Sequence, residues 1–272
     1  MGWNGIRGGA AVRPFRWIAI GAVLAALSPA PAGAVFRTPS RFLVDTPTAG
    51  TSPVGAFETR TKAFPGGGLE IRVDIGLAHW LTLGGSYGGL QIIGDGEPDW
   101  YPEPGFAVKV RVLQESWVLP ALALGVDTQG AGYWDDARER YQYQSRGLYA
   151  VLSKNYAWYG DLTLHGGVNR TLEGNDENLN PFVGFEKSLG AFWSLALEYD
   201  AALNDDRDDG AYGRGRGYLN GAIGWNLSQD MQVRLVVRDM LRNAEPIDPG
   251  LADRVVDEGW GREFTFSYVE QF

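Results

Sequence analysis

Charged residues of both signs fall at every second position in several short stretches of this chain. Glu58, Arg60 and Lys62 form one series, and Glu70, Arg72 and Asp74 form another. Successive side chains of an extended strand point to opposite faces, so this spacing gathers each series on one face. Lys109 with Arg111, Glu198 with Asp200, and Arg234 with Arg238 extend the arrangement. Two chemistries suit such faces. Turned toward one another, the charges form an ion-paired filling, because charges taken out of bulk water are costly unless paired or hydrated. Lining a narrow wet passage, they tune which polar solute binds or passes. The residue pattern leaves both open.

Other chemistry finds less support. The two histidines are His79, in a short turn, and His165, in mid-strand and facing inward. Neither has a Ser or Asp at a spacing that implies a triad, so no catalytic residue is assigned. Asn204-Asp205-Asp206-Arg207-Asp208-Asp209-Gly210 superficially resembles a calcium loop, but Arg207 stands where that motif needs Asp or Asn. No bidentate Glu follows at the matching position. This acidic stretch and Glu173-Gly174-Asn175-Asp176-Glu177 read as solvated loop charge, without a dedicated metal. Gly84-Gly85-Ser86-Tyr87-Gly88-Gly89 lacks the strand-loop-helix setting of a phosphate loop, and its glycines mark bends in a curved sheet. No cofactor is expected.

The elements that must position the charges are strands. Leu69-Glu70-Ile71-Arg72-Val73-Asp74-Ile75 alternates strictly, and similar alternation begins near Val54, Leu69, Leu81, Phe106, Pro120, Leu148, Gly160, Pro181, Phe192, Gly217, Met231 and Arg262. In a soluble sandwich the apolar faces would meet inside. Twelve segments whose polar faces carry Arg, Lys, Asp and Glu instead imply apolar faces turned to lipid and charges around a closed interior. The connections support this. Short turns at His79-Trp80, Glu115-Ser116-Trp117, 155–159, 188–191 and 228–230 alternate with long loops at 91–105, 127–147, 169–180, 204–216 and 241–261. Only Pro65-Gly66-Gly67-Gly68 is short on the long-loop side. The expected fold is therefore all-β: a single up-and-down antiparallel transmembrane barrel of about twelve strands, with short periplasmic turns and long outer loops.

Aromatic placement agrees. Trp80, Trp117, Trp158, Trp193 and Trp225 each lie in, or within about three residues of, a short turn, as in a girdle at the membrane interface. The last segment ends Phe264-Thr265-Phe266-Ser267-Tyr268-Val269-Glu270-Gln271-Phe272. Phe264, Phe266, Tyr268 and the terminal Phe272 resemble the signal by which barrel assembly machinery recognises its substrates; Glu270 departs from that pattern.

Arg7, Arg13 and Arg16 precede an apolar run from Trp17 to Leu27 and then Ala30-Pro31-Ala32-Gly33-Ala34. This order reads as a secretory signal peptide over residues 1–34, too short in its apolar run to span a bilayer. Residues 35–53, with Pro39, Pro47 and Pro53, read as an irregular periplasmic arm, and 54–272 as the barrel. Without the leader, 21 basic residues face 33 acidic ones, which disfavours nucleic acid as a partner. The chain has no cysteine, so neither disulfides nor lipoprotein processing apply. The outer membrane of a Gram-negative-type envelope is the expected location, with its lipid and lipopolysaccharide as neighbours.

Several stretches resemble the YjbH-type family of outer-membrane barrels linked to exopolysaccharide production. They are Thr46-Pro47-Thr48-Ala49, Glu115-Ser116 followed by Pro120-Ala121-Leu122-Ala123-Leu124-Gly125-Val126-Asp127 and Gly130, then Ser153-Lys154 and Glu198-Tyr199-Asp200. The resemblance spans about residues 46–200 and implies no catalytic residues. It implies a non-enzymatic barrel that passes or binds a polar solute or assists polysaccharide secretion. The alternative is a closed structural or adhesive barrel displaying acidic loops.

Overall fold

The computed structural model describes residues 39–174, 178–205, 213–244 and 260–272. The expected signal peptide and the first residues of the arm lie outside these, as do residues 175–177 and 206–212 of the acidic stretches. The described residues hold strands β1 (Ala56–Phe64), β2 (Gly68–Ala78), β3 (Leu81–Leu90), β4 (Asp99–Trp100), β5 (Gly105–Leu113), β6 (Ala121–Asp127), β7 (Ala131–Asp135) and β8 (Arg140–Tyr143). They continue with β9 (Gly147–Ala157), β10 (Asp161–Arg170), β11 (Asn180–Leu189), β12 (Trp193–Asp200), β13 (Tyr218–Asn226), β14 (Met231–Arg238) and β15 (Gly261–Gln271).

Twelve of these strands form one closed antiparallel barrel. Each bonds its neighbour in chain order, skipping β4, β7 and β8, and β1 closes the ring against β15 from Ala56↔Gln271 to Ala63↔Phe264. A closed sheet has no unpaired edge, which is what lets strands cross hydrocarbon. Each of the twelve starts within two residues of its expected position. The turn expected at Glu115-Ser116-Trp117 is longer than the others at its end, running from residue 114 to 120. Three strands were not anticipated: β4 extends the end of β3, and β7 and β8 form a separate hairpin inside the long 128–146 connection.

The outer wall is apolar. Ile71, Phe106, Leu124, Leu148, Leu164, Val183, Ile223, Leu235 and Phe264 are all exposed, on strands distributed around the ring. An apolar surface that encircles a molecule is far larger than a soluble monomer shows, and it fits lipid. Their alternate neighbours, among them Arg72, Asp74 and Glu198, are buried in the interior. One sector of the interior is not charged: Ala196, Ala222 and Val236 form a buried cluster with Leu43 and Val44, and Ala121, Ala123, Tyr149, Val151 and Phe182 form one with Ala49.

Those clusters reveal the main departure from expectation. The arm does not extend away from the barrel; from Ser40 to Ser52 it runs inside it. Leu43 N donates to Thr46 O at 3.0 Å and Thr48 N to Arg41 O at 3.0 Å, making a tight hairpin. Its returning leg leaves at the short-turn end, where Thr51 Oγ1 donates to His79 O at 3.1 Å and Ser52 N to Thr82 Oγ1 at 2.9 Å. Small residues make the room. A Cβ on Gly184 would lie 2.4 Å from Leu43 Cδ1, and one on Gly76 would lie 1.9 Å from Pro53 O.

Candidate functional site

The register between β1 and β2 sets opposite each other Glu58 and Asp74, Arg60 and Arg72, and Lys62 and Glu70. The first two pairs join like charges, an arrangement that destabilises a sheet when nothing intervenes. The hairpin supplies what the wall lacks. Arg41 reaches Glu58 and lies 3.5 Å from Asp74, so one guanidinium serves both carboxylates. The Phe42 ring lies 4.4 Å from the Arg60 guanidinium and 4.8 Å from that of Arg72, with Lys109 Nζ also at 4.8 Å. The negative face of an aromatic ring is a suitable neighbour for crowded cations.

The tip of the hairpin is held by Glu198. Its Oε2 accepts from Val44 N at 2.9 Å, Thr46 N at 2.9 Å and Thr46 Oγ1 at 2.7 Å, while Asp45 N is 3.1 Å from both oxygens. Asn220 Nδ2 donates to Oε1 at 2.9 Å and fixes the carboxylate from the wall side. Asp45 pairs with Arg238, which also holds Glu263 at 2.6 Å, and with Lys62 at 3.6 Å. From below, Arg234 donates to Leu43 O at 2.6 Å and pairs with Glu186 at 2.6 Å; Lys109 Nζ donates to Arg41 O at 2.9 Å.

All twelve charged residues singled out in the sequence face the interior. Glu58, Arg60, Lys62, Glu70, Arg72, Asp74, Lys109, Glu198, Asp200 and Arg238 are buried in the network. Arg234 is half-buried, and Arg111 sits at the short-turn mouth, where it donates to His79 O at 2.6 Å. Partners the sequence reading missed are Asp127, 2.9 Å from Arg72, Arg146, which meets Asp200, and Glu263. Alternation could have found Glu263, since it precedes outward Phe264 by one residue. The five tryptophans Trp80, Trp117, Trp158, Trp193 and Trp225 are all exposed at the short-turn end, and Trp193 stacks on Trp225 at 5.7 Å.

The long-loop end is covered. Arg140 of β8 pairs with Asp205 at 2.7 Å, and Tyr218 donates to the same carboxylate at 2.6 Å. Glu173 accepts from Tyr141 N at 3.0 Å and Ser145 N at 2.8 Å. Burial pushes the Glu173 carboxyl above its ordinary range. Two residues expected as solvated loop charge thus turn inward and clamp the β7–β8 hairpin, because buried backbone donors and a buried guanidinium demand acceptors there.

Among the described residues, cavities of about 20–30 Å³ lie between the hairpin and the wall, near the size of a single water site. The short-turn end differs: a cavity of about 450 Å³ opens below the hairpin. His165 lines it, with Nδ1 2.7 Å from Ser153 Oγ, which in turn accepts from Ala49 N at 2.8 Å. That contact is a structural link to the hairpin; no carboxylate completes a triad among the described residues.

The geometry defines a class: a transmembrane β-barrel stoppered by its own N-terminal hairpin. The chain belongs to the YjbH family, described as exopolysaccharide biosynthesis protein YbjH, whose sequence model matches residues 42–235. The match begins at Phe42, inside the hairpin. No curated protein sequence matches the chain. Solved structures similar to it include a KdgM porin (TM-score 0.47, 8% identity, covering 80% of this chain and 99% of that one) and a NanC porin (0.45, 12%, 79% and 99%). A third is the outer membrane protein Omp33 of Acinetobacter baumannii (0.42, 7%, 80% and 97%).

Proposed function

We propose that this chain is a non-enzymatic outer-membrane barrel that assists exopolysaccharide secretion, passing a polar solute or polymer segment only when its hairpin is displaced. The carrying observation is how the hairpin is held. Glu198, Arg234 and Lys109 grip it and its own Arg41 reaches Glu58 of the wall, largely through ion pairs and hydrogen bonds, which water can replace as the hairpin leaves. The apolar outer wall, the leader-like residues 1–34, the tryptophans at the short turns and the terminal aromatics support an outer-membrane location with the short turns in the periplasm. Lipopolysaccharide and the assembly machinery are the neighbours this location implies.

A second reading is a permanently closed structural or adhesive barrel, favoured by the clamp of Arg140, Asp205 and Glu173 over the long-loop mouth. Conductance in planar bilayers separates the two. The intact protein is expected to be silent, and deletion of residues 40–52 to give discrete conductance steps. A deletion variant that keeps heat-modifiable gel mobility, as a folded barrel does, yet stays silent would establish the closed barrel instead.

A further inference from the structure

The cavity at the short-turn end has a composition of its own. Its volume, about 450 Å³, lies within the range of small-molecule sites. Asn155, Thr163, Ser188, Asn226 and Gln232 line it with groups that both donate and accept hydrogen bonds, or do so through paired amide atoms. His165 joins them; it is over nine-tenths buried, and its Nε2 has no hydrogen-bond partner among the described residues.

The charges at the cavity cancel. Glu186 is taken by Arg234 at 2.6 Å, Arg111 and Asp161 bring one charge of each sign, and the remaining lining carboxylate, Glu115, is neutralised by Lys154 just outside the lining at 3.3 Å. An ionic ligand therefore finds no net attraction and must still surrender its hydration. No Phe, Tyr, Trp, Leu, Ile or Val side chain lines the space; its apolar part comes from Pro39, Ala49, Ala121 and the stems of polar residues, which suit the C–H faces of a sugar. A neutral molecule dense in hydroxyl groups satisfies the lining best.

We propose that this cavity is a binding site for a neutral saccharide segment of about two sugar units, presented at the short-turn mouth. The proposal rests on the reading of the chain as a polysaccharide-secretion barrel and names the ligand class for that role. The site touches the hairpin directly: Pro39, Ser40 and Ala49 form part of its roof, and Arg234 serves both. Occupancy and hairpin release are thus joined through one guanidinium.

The test is isothermal titration calorimetry on the full chain in detergent micelles, with cellobiose and maltose as neutral probes and cellobiouronic acid as the charged one. At least one neutral disaccharide is expected to bind saturably and no more weakly than the uronate. Thr163→Trp, which fills the space, should abolish that binding, and Asn155→Ala should weaken it severalfold with heat-modifiable mobility kept. Absence of saturable heat with both neutral sugars overturns the proposal, as does a uronate bound tenfold tighter. So does binding unchanged in a folded Asn155→Ala variant. Conductance after removal of residues 40–52 is read separately: a barrel that binds cellobiose but never conducts keeps this site and loses the passage, and the reverse result loses only the site.

Discussion

Arg41 sits where one residue decides whether the wall agrees with itself. Glu58 and Asp74 face each other across β1 and β2, and the Arg41 guanidinium is placed between them. Arg41→Ala leaves the buried Glu58 carboxylate without its ion-pair partner and opposite Asp74, which keeps Arg72 at 3.0 Å, and breaking a buried pair costs about 3–5 kcal/mol. The variant is expected to lower the denaturation midpoint. Asp74→Asn in the same background should recover part of the loss, because it removes the like charge opposite Glu58. A double-mutant cycle by urea unfolding in micelles measures this; strict additivity would show that Arg41 does not act through Asp74. Glu198 offers a gentler probe. Charge-assisted hydrogen bonds contribute about 1.5–3 kcal/mol, and Glu198→Gln replaces a two-oxygen acceptor with one oxygen and a donor aimed at backbone N–H groups. Faster amide hydrogen exchange at Val44 and Thr46, with strand amides unchanged, is the expected result.

At the scale of elements, what could be read from the sequence was whatever repeats with period two. In β2, Ile71, Val73 and Ile75 project outward while Glu70, Arg72 and Asp74 project inward, and this alternation located all twelve barrel strands and many of their inward charges, though not Asp127 or Glu263. The hairpin at 40–52 escaped because its contacts are set by the cavity it enters. Phe42 and Leu43 are adjacent apolar residues, and both are buried against different walls, which no strand pattern encodes. The β7–β8 hairpin escaped for a related reason: Tyr133 and Tyr141 are buried among loop residues, so their aromatic content had no single face to mark. Glu173 and Asp205 lay in acidic runs that read as solvated, and only the fold brings Arg140 and two backbone donors to them. The clamp makes a prediction of its own. Asp205→Ala removes a carboxylate paired with Arg140 and the acceptor of Tyr218, so limited proteolysis should cut between Asp135 and Arg140 much faster while the barrel stays folded. Protection unchanged from the parent would show that β7–β8 is held by other contacts.

The whole molecule inverts the usual partition of polar and apolar residues, and the inversion has a measurable sign. Leu235 and Arg234 are neighbours in β14, one facing hydrocarbon and the other the hairpin. An arginine on the lipid face at mid-depth costs about 2–4 kcal/mol, whereas a polar-for-polar exchange on the inward face carries no such transfer cost. Leu235→Arg is therefore expected to lower folding into phospholipid vesicles by that amount, while Thr265→Asn, on the inward face of the adjoining β15 beside Arg234, should fold nearly as the parent does. The two positions lie at adjacent steps of one ladder, Leu235 opposite Phe264 and Thr265 opposite Arg234, so the strands and their register are shared while the facing medium differs. Equal losses at both would mean that Leu235 meets protein or water instead of lipid, and the barrel would have to be placed in another setting. A selective loss at Leu235 would also locate the mid-depth of the membrane close to the hairpin carbonyls that Arg234 holds, so that the stopper lies at that depth and its release would open the path there.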